Sequence, residues 1–194
     1  MRPMIPVAAL RQLARVLTVG FGLAGALAAH AERADRFKPL NFVADSARAD
    51  DARQVNILTG DVDITKGTMI LRAQRVEVRQ NANGTQNAVA TGGSAGRAYF
   101  RQKREGLDEY IEGESERIEY DGATDVILFT GRAVMRRLRG AAVADEVVGQ
   151  TITYNNTTDV FQVAGGPDSA APGGRVRGVI SPKPGSDTPA GSQP

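Results

Sequence analysis

The sequence predicts an all-β fold of antiparallel strands, and three observations support this prediction. A short apolar strand that ends in Gly occurs four times, closing at Gly60, Gly92, Gly131 and Gly165. Residues after position 39 alternate in polarity, as expected for strands with one buried face. Turn-forming residues separate these segments, and no convincing helical period follows residue 31. At one strand and turn per 8–12 residues, the region 39–165 should contain roughly 12–16 strands.

The first 31 residues are typical of a secretory signal peptide. Arg2, Arg11 and Arg15 provide the positive charge, residues 16–28 are apolar, and Ala29-His30-Ala31 fits a cleavage site. The apolar run is about 13 residues, shorter than the roughly 20 that a membrane-spanning helix needs. We therefore predict export and cleavage after residue 31, with a cut after residue 29 or an uncleaved anchor as alternatives.

The following segment, 32–180, is predicted to be one β domain. Alternating apolar pairs mark its candidate strands in chain order: Leu40 and Phe42, Val55 and Ile57, Val62 and Ile64, Val76 and Val78, and Ile118 and Tyr120. An internal repeat aligns residues 50–60 with 121–131, and an apparent insertion at 139–149 leaves strand pairing there open. Residues 175–180 could form a last edge strand. Residues 181–194 are rich in Gly, Pro and Ser, which predicts a disordered tail.

Composition excludes several kinds of chemistry. The 194-residue chain has no Cys and no Trp, and its only His is His30 in the predicted signal peptide. A Ser-His-Asp triad, a Cys-His pair and a zinc site built from His or Cys are therefore excluded from the exported chain. Loss of the three signal-peptide arginines changes the formal net charge from +2 to −1. The exported protein thus lacks the basic charge expected of a nucleic-acid-binding protein, and we predict no metal and no cofactor.

The charged clusters have functional and structural interpretations. Glu112, Glu114 and Glu116 share one face of a strand, where they could form a cation site or the carboxylates of a glycosidase. Because three like charges at such spacing repel one another, we favour a solvated face. The basic clusters 101–104 and 136–139 are interpreted as solvated surface or as contacts to an anionic glycolipid. The Gly-rich segment 91–96 lacks the Lys and helix of a phosphate loop, so a turn or bulge is expected.

The predicted inward-facing residues are mostly Val, Ile, Leu and Ala. Ordinary packing of small side chains explains this composition. It would also suit two sheets that stay apart and leave an apolar groove between them. The sequence pattern alone leaves both interpretations open.

Two segments resemble a known family. Residues 40–47 and 56–67, continuing through Leu71-Arg72-Ala73-Gln74-Arg75-Val76-Glu77-Val78, match the N-terminal pattern of the OstA-like domain. The second half, from Glu112 through Ala133, matches as well. The resemblance covers about residues 39–180 and identifies the chain as similar to the OstA-like, LptA-type periplasmic lipopolysaccharide-transport proteins.

The resemblance implies an open, V-shaped antiparallel β-jelly roll whose apolar interior shields the acyl chains of lipopolysaccharide. It implies a periplasmic, non-enzymatic carrier that passes this lipid from the inner to the outer membrane. The implied partners are an inner-membrane LptC-type subunit, the N-terminal domain of an LptD-type outer-membrane translocon, and further copies of the chain joined head to tail. Carbohydrate-active enzymes and structural or adhesive envelope proteins remain as alternatives.

Residues lining the lipid groove follow from the same resemblance. The aligned strands suggest Leu40, Phe42, Tyr99 and Phe129, and alternation along the strands adds Ile57, Ile64, Val76 and Val134. We expect these eight side chains to face the interior.

Overall fold

The computed structural model of the chain describes residues 35, 38–104 and 106–182. The predicted signal peptide and residues 183–194 of the predicted tail lie outside the described residues. In the part of the chain that is described, no helix is long and apolar enough to cross a membrane. The residues that carry the fold begin near Leu40.

Twelve antiparallel strands lie in the described part of the chain, at the lower end of the predicted 12–16. They are β1 (Asn41–Val43), β2 (Ser46–Asp50), β3 (Val55–Lys66), β4 (Met69–Gln80), β5 (Gln86–Thr91), β6 (Ala98–Lys103), β7 (Glu109–Ser115), β8 (Arg117–Asp121), β9 (Val126–Arg139), β10 (Ala142–Asn155), β11 (Val160–Ala164) and β12 (Arg177–Ile180). The prediction of an all-β, jelly-roll-like fold is confirmed. The predicted last edge strand is β12, which pairs with β10.

Four long strands, β3, β4, β9 and β10, each contribute to two layers of sheet. Their 12 to 14 residues are about twice the usual strand length. The first layer contains β2, β5, β8 and β11 together with residues 55–59, 75–80, 126–130 and 151–155 of the long strands. The second layer contains β1, β6, β7 and β12 together with residues 62–66, 69–73, 133–139 and 142–149.

Glycines mark the points where long strands pass from one layer to the other. In β3 the passage lies at Gly60 and Asp61, whose φ angles are 80° and 39°. A Cβ on Gly60 would lie 2.0 Å from the side chain of Asp45, so only glycine fits. In β9 the passage lies at Gly131, where a Cβ would lie 2.6 Å from Glu116. The sequence pattern ends a short strand at each repeated glycine, but at these two the chain makes a bulge and continues in the second layer.

The internal repeat is visible in the backbone hydrogen bonds at these passages. The amide of Asp45 donates to the carbonyl of Gly60 at 2.9 Å, and the amide of Glu116 donates to the carbonyl of Gly131 at 3.0 Å. The segment 139–149 lengthens the β9–β10 hairpin, where Arg139 pairs with Ala142. The pairing that the sequence left open is antiparallel, with shifts of register between Val143 and Asp145 and between Gly149 and Thr151, as at β-bulges.

The hydrophobic core lies between the two layers. It is one cluster that draws side chains from β3 to β10, with Leu40, Ala44 and Val163 packed at its margin. Alternation within each strand places one set of side chains in this core and the other set on an outer face.

Candidate functional site

Two rows of apolar side chains cross the interior, one on each layer. Directly opposed residues of an antiparallel sheet share a face, so the strand register identifies both rows. The first row contains Ala47, Leu58, Val76, Ala90, Ile118, Phe129, Ile152 and Val163. The second row contains Phe42, Ile64, Leu71, Phe100, Gly113, Met135, Val147 and Gly178. Each row spans eight strands, or ~34 Å at about 4.8 Å per strand.

The two rows meet at Phe129. Its ring is fully buried and lies edge-on to Phe100, with ring centroids 6.1 Å apart and planes at 75°. A Cβ on Gly113 would lie 2.2 Å from the Phe129 ring, so the missing side chain makes room for it. Here the layers are in contact and do not leave the space that small side chains suggested.

Five of the eight predicted groove residues lie on the interior side. Ile64, Val76 and Phe129 are almost completely buried, with exposed fractions of 1%, 0% and 0%. Phe42 belongs to the interior row but lies on edge strand β1, where half of it is exposed. Leu40 packs against the margin of the core.

The other three predicted residues lie on the outer faces, which corrects the expectation that they line the interior. Ile57 pairs with Glu77, and the neighbouring Leu58 takes the interior position. Val134 packs with Val148 and Ala171 in a separate cluster. The errors share a cause, because each residue belongs to a run of consecutive apolar residues in which alternation does not identify the buried face.

Tyr99 is the third of these outer-face residues. Its hydroxyl donates to Oε1 of Glu112 at 2.9 Å, and the Arg72 guanidinium lies 5.9 Å from the centre of its ring. Partial burial and the bond to Glu112 raise the pKa of Tyr99. The smaller Ala98 beside it faces the core. Tyr99 therefore stabilises the outer surface.

Apolar side chains are exposed at both ends of the two rows. At the end formed by β1, Phe42 is 50% exposed. At the opposite end, Phe161 of β11 is 40% exposed and pairs with core residue Tyr154, so it continues the interior face. The apolar interior thus reaches solvent at both ends of the sheet.

Polar contacts join the layers along the side opposite the glycine passages, which we call the mouth. Arg104, after β6, donates from Nε to Oδ1 of Asp159 at 3.1 Å, and its Nη2 lies 3.0 Å from Oδ2. Asp159 also accepts a hydrogen bond of 2.8 Å from the Tyr154 hydroxyl. Glu109 binds the same guanidinium. A second contact runs from Nζ of Lys66 to Oε1 of Gln86 at 3.0 Å.

The pKa values of two residues of the mouth, Asp159 and Lys66, are shifted from their ordinary values. Partial burial opposes the ionised form of Asp159, but hydrogen bonds from Arg104 and Tyr154 outweigh it and lower the pKa of Asp159. Burial lowers the pKa of Lys66, an effect that the carboxylates of Asp125 and Asp35 oppose. The Arg104–Asp159 pair is therefore ionised near neutral pH.

The outer face of the second layer carries a row of ion pairs. Glu112 binds Arg101, while Glu114 binds both Arg97, at 2.7 Å, and Arg136, at 3.1 Å. Glu116 binds Arg132 across the glycine passage. Because arginines neutralise all three carboxylates, this surface favours a structural role over a glycosidase centre.

A cleft of about 620 Å³, lined by both charged and apolar residues, lies on this outer face beside the glycine passages. Asp63 and Arg72, which form an ion pair at 2.7 Å, contribute to its lining, as does Glu114. Because Tyr99 and Glu114 of the outer face line it, the cleft is separate from the interior between the two layers.

The residues of the mouth were not predicted from the sequence. Arg104 was noted only as part of a basic cluster, and Tyr154 only as part of the repeat. The sequence contains one signal, because Tyr120 and Asp125 repeat the spacing of Tyr154 and Asp159. The structure shows the same repeat, since Asp125 and Asp159 share a φ of 57°. The cation that contacts such a Tyr-Asp pair, Arg104 in the case of Asp159, comes from the other layer. The local sequence does not show which residue of that layer lies opposite.

Comparison with known proteins identifies the family. The family model described as "LptA/(LptD N-terminal domain) LPS transport protein" matches residues 41–160, which contain β1 to β10 and most of both rows. The chain belongs to this family. Membership places it among lipopolysaccharide-transport proteins, as the resemblance in the sequence predicted.

Individual relatives agree with this result. A protein named lipopolysaccharide export system protein LptH, from Pseudomonas aeruginosa, is 29% identical over 169 residues, covering 84% of this chain and 92% of its own. Lipopolysaccharide export system protein LptA from Escherichia coli K12 is 26% identical over 132 residues, covering 68% of each chain. Their names describe an export system and not a chemical reaction.

A solved structure supports the fold. The crystal structure of Pseudomonas aeruginosa LptH, titled as the LptA-homologous periplasmic component of a lipopolysaccharide transport device, superposes with a TM-score of 0.65. The match covers 77% of this chain and 99% of the other, at 24% sequence identity. At this identity the similarity shows a shared jelly-roll-like fold.

Proposed function

We propose that the protein is a non-enzymatic periplasmic carrier that binds lipopolysaccharide and passes it from the inner to the outer membrane. The acyl chains would occupy the apolar interior, while the sugars remain in water. The observation that carries this proposal is the pair of uninterrupted apolar rows that run from one edge of the sheet to the other. A conduit needs such continuity, because a chain moving along it then exchanges one apolar contact for another.

Lipid entry requires movement at the centre of the interior. Phe129 is fully buried against Phe100, so acyl chains reach it only when the layers separate. The polar contacts at the mouth can break and reform in water at modest cost, which would permit such separation. At the two ends, Phe42 and Phe161 are already exposed and would contact lipid first.

The open edges suggest how the protein is assembled into a transport path. Strands β1 and β2 at one end, and β11 and β12 at the other, each pair with a strand on one side. Strand addition would join copies head to tail, and such joints extend without closing. We propose that an LptC-type subunit and the N-terminal domain of an LptD-type translocon occupy the two ends. The predicted signal peptide, residues 1–31, would deliver the chain to the periplasm.

Site-specific photocrosslinking tests the carrier proposal. A photoreactive amino acid replaces Phe161, which lies on the interior face of β11, and in a second variant replaces the adjacent Gln162, which points to the outer face. Each purified variant is mixed with lipopolysaccharide or with phospholipid. The proposal predicts adducts of lipopolysaccharide at position 161 and few at 162.

The same experiment separates the alternatives. Equal labelling at 161 and 162 would indicate nonspecific contact. No adduct at 161 in a folded protein would contradict the carrier proposal and favour a structural envelope protein. Efficient labelling by phospholipid alone would retain a lipid carrier but change its cargo.

A further inference from the structure

Polar side chains interrupt the apolar interior on the mouth side of the second layer. Gln102 of β6 pairs with Ile111 of β7, and Ile111 pairs with Arg137 of β9. Ile111 belongs to the core, so Gln102 and Arg137 share its interior face. Their backbones lie about 10 Å apart across the Ile111 strand, and both side chains are long enough to extend over it.

Each of these side chains has a buried polar atom without a hydrogen-bond partner. They are Oε1 of Gln102, an acceptor, and Nε of Arg137, a donor. Gln102 is only 8% exposed, so bulk water does not readily solvate its carbonyl oxygen. An unsatisfied buried polar group destabilises a fold, and its presence in the interior requires an explanation.

The surrounding charges are balanced. Arg137 forms an ion pair with Asp145, Arg139 with Glu109, and Arg104 with Asp159. Three arginines therefore face three carboxylates, and the cluster has no excess positive charge to attract an anion. A neutral group that both donates and accepts a hydrogen bond would satisfy both atoms at once.

We propose that Gln102 and Arg137 form a polar anchor for a hydroxyl or amide group on a lipid acyl chain. The group donates to Oε1 of Gln102 and accepts from Nε of Arg137. The hydrocarbon beside it packs on Ile111, Phe100 and Met135, which belong to the core. The anchor rests on the carrier proposal and adds a chemical requirement to it, because plain hydrocarbon chains would leave both atoms unsatisfied.

A pair of fatty acids tests the anchor. Displacement of a fluorescent apolar dye from the purified protein measures binding of a β-hydroxy fatty acid and of the unsubstituted acid of equal length. We expect wild type to prefer the hydroxylated acid by roughly three- to tenfold, the range of one net hydrogen bond. The variant Gln102→Met retains side-chain length but loses the acceptor, and should bind the two acids equally.

A matched control makes the result specific. Gln162→Met changes the same residue type on the outer face of β11 and should keep the wild-type preference. Thermal unfolding without lipid adds an independent readout, because Gln102→Met removes an unsatisfied buried acceptor and should not lower the melting temperature.

Other outcomes would overturn the anchor. If wild type binds both acids equally, or Gln102→Met keeps the preference, ordered water satisfies these atoms and the anchor is wrong. Crosslinking of lipopolysaccharide at position 161 would then leave the carrier proposal intact. Failure to bind either acid, together with no crosslinking at 161, would contradict both proposals.

Discussion

At the scale of single residues, the contact between Phe129 and Gly113 decides how closely the two layers approach. The sequence predicted Phe129 as an inward apolar residue, because it follows the alternation of its strand. It did not predict the partner. A glycine within a strand signals a close approach, but the group that approaches Gly113 comes from the other layer. Only the folding of the sheet over itself brings them together.

Gly113→Ala tests this contact. The new methyl group would meet the Phe129 ring at 2.2 Å, and overpacking of this kind should destabilise the protein by about 1–3 kcal/mol. Equilibrium urea denaturation measures the free energy of unfolding. Phe129→Leu provides the matched partner, because a smaller side chain makes room for the methyl group. The double variant should lose less stability than the two single changes together, and additive losses would show that the residues do not interact.

At the scale of strands and hairpins, the sequence predicted most of the strands but not the polar contacts of the mouth. Period-two alternation located most strands, and two of the four repeated glycines, Gly60 and Gly131, lie where long strands change layer. Local patterns did not show that β6–β7 and β10–β11, whose turns are about 50 residues apart in the chain, would meet through Arg104 and Asp159. Runs such as Ala98-Tyr99-Phe100 and Ala133-Val134-Met135 also left the buried face undecided, and this placed Tyr99 and Val134 wrongly.

Asp159→Asn tests the link between these hairpins. The native environment lowers the pKa of Asp159. At a pH near the ordinary pKa of Asp, about 3.9, the folded state therefore binds fewer protons than the unfolded state. Its contribution to stability is therefore present above about pH 4 and is lost as the pH falls through the lowered value. Because half of this side chain is exposed, the loss at pH 7 should be about 1 kcal/mol or less.

The pH profile distinguishes this ion pair from a general effect of charge. Denaturation at several pH values should show the difference between wild type and Asp159→Asn shrinking below about pH 4. Asp108→Asn changes an exposed carboxylate in the β6–β7 turn and should leave the profile unchanged. A constant difference between wild type and Asp159→Asn at all pH values would show that the carboxylate charge is not responsible.

At the scale of the whole molecule, the open ends of the sheet connect fold to assembly. Exposed strand edges favour uncontrolled pairing, and many proteins protect them with charge or Pro. Here β1, β11 and β12 keep exposed apolar side chains at the ends, with Val43 71% and Ile180 72% exposed, whereas β2 carries Arg48 and Asp50. Unprotected edges of this kind are expected where pairing with another chain is the purpose, as in the proposed head-to-tail contact.

Val43→Lys tests that contact. Val43 lies on edge strand β1 opposite Asp63, so a Lys there gains an opposite charge within its own sheet and should not disrupt the fold. It would place a charge at the edge where a second copy adds its strand, and should weaken self-association by roughly tenfold, about 1.4 kcal/mol. Thr65→Lys, one strand inward on β3, adds the same charge away from the edge. Sedimentation velocity over a range of concentrations measures both variants. If Val43→Lys and Thr65→Lys associate as wild type does, the contact does not use this edge.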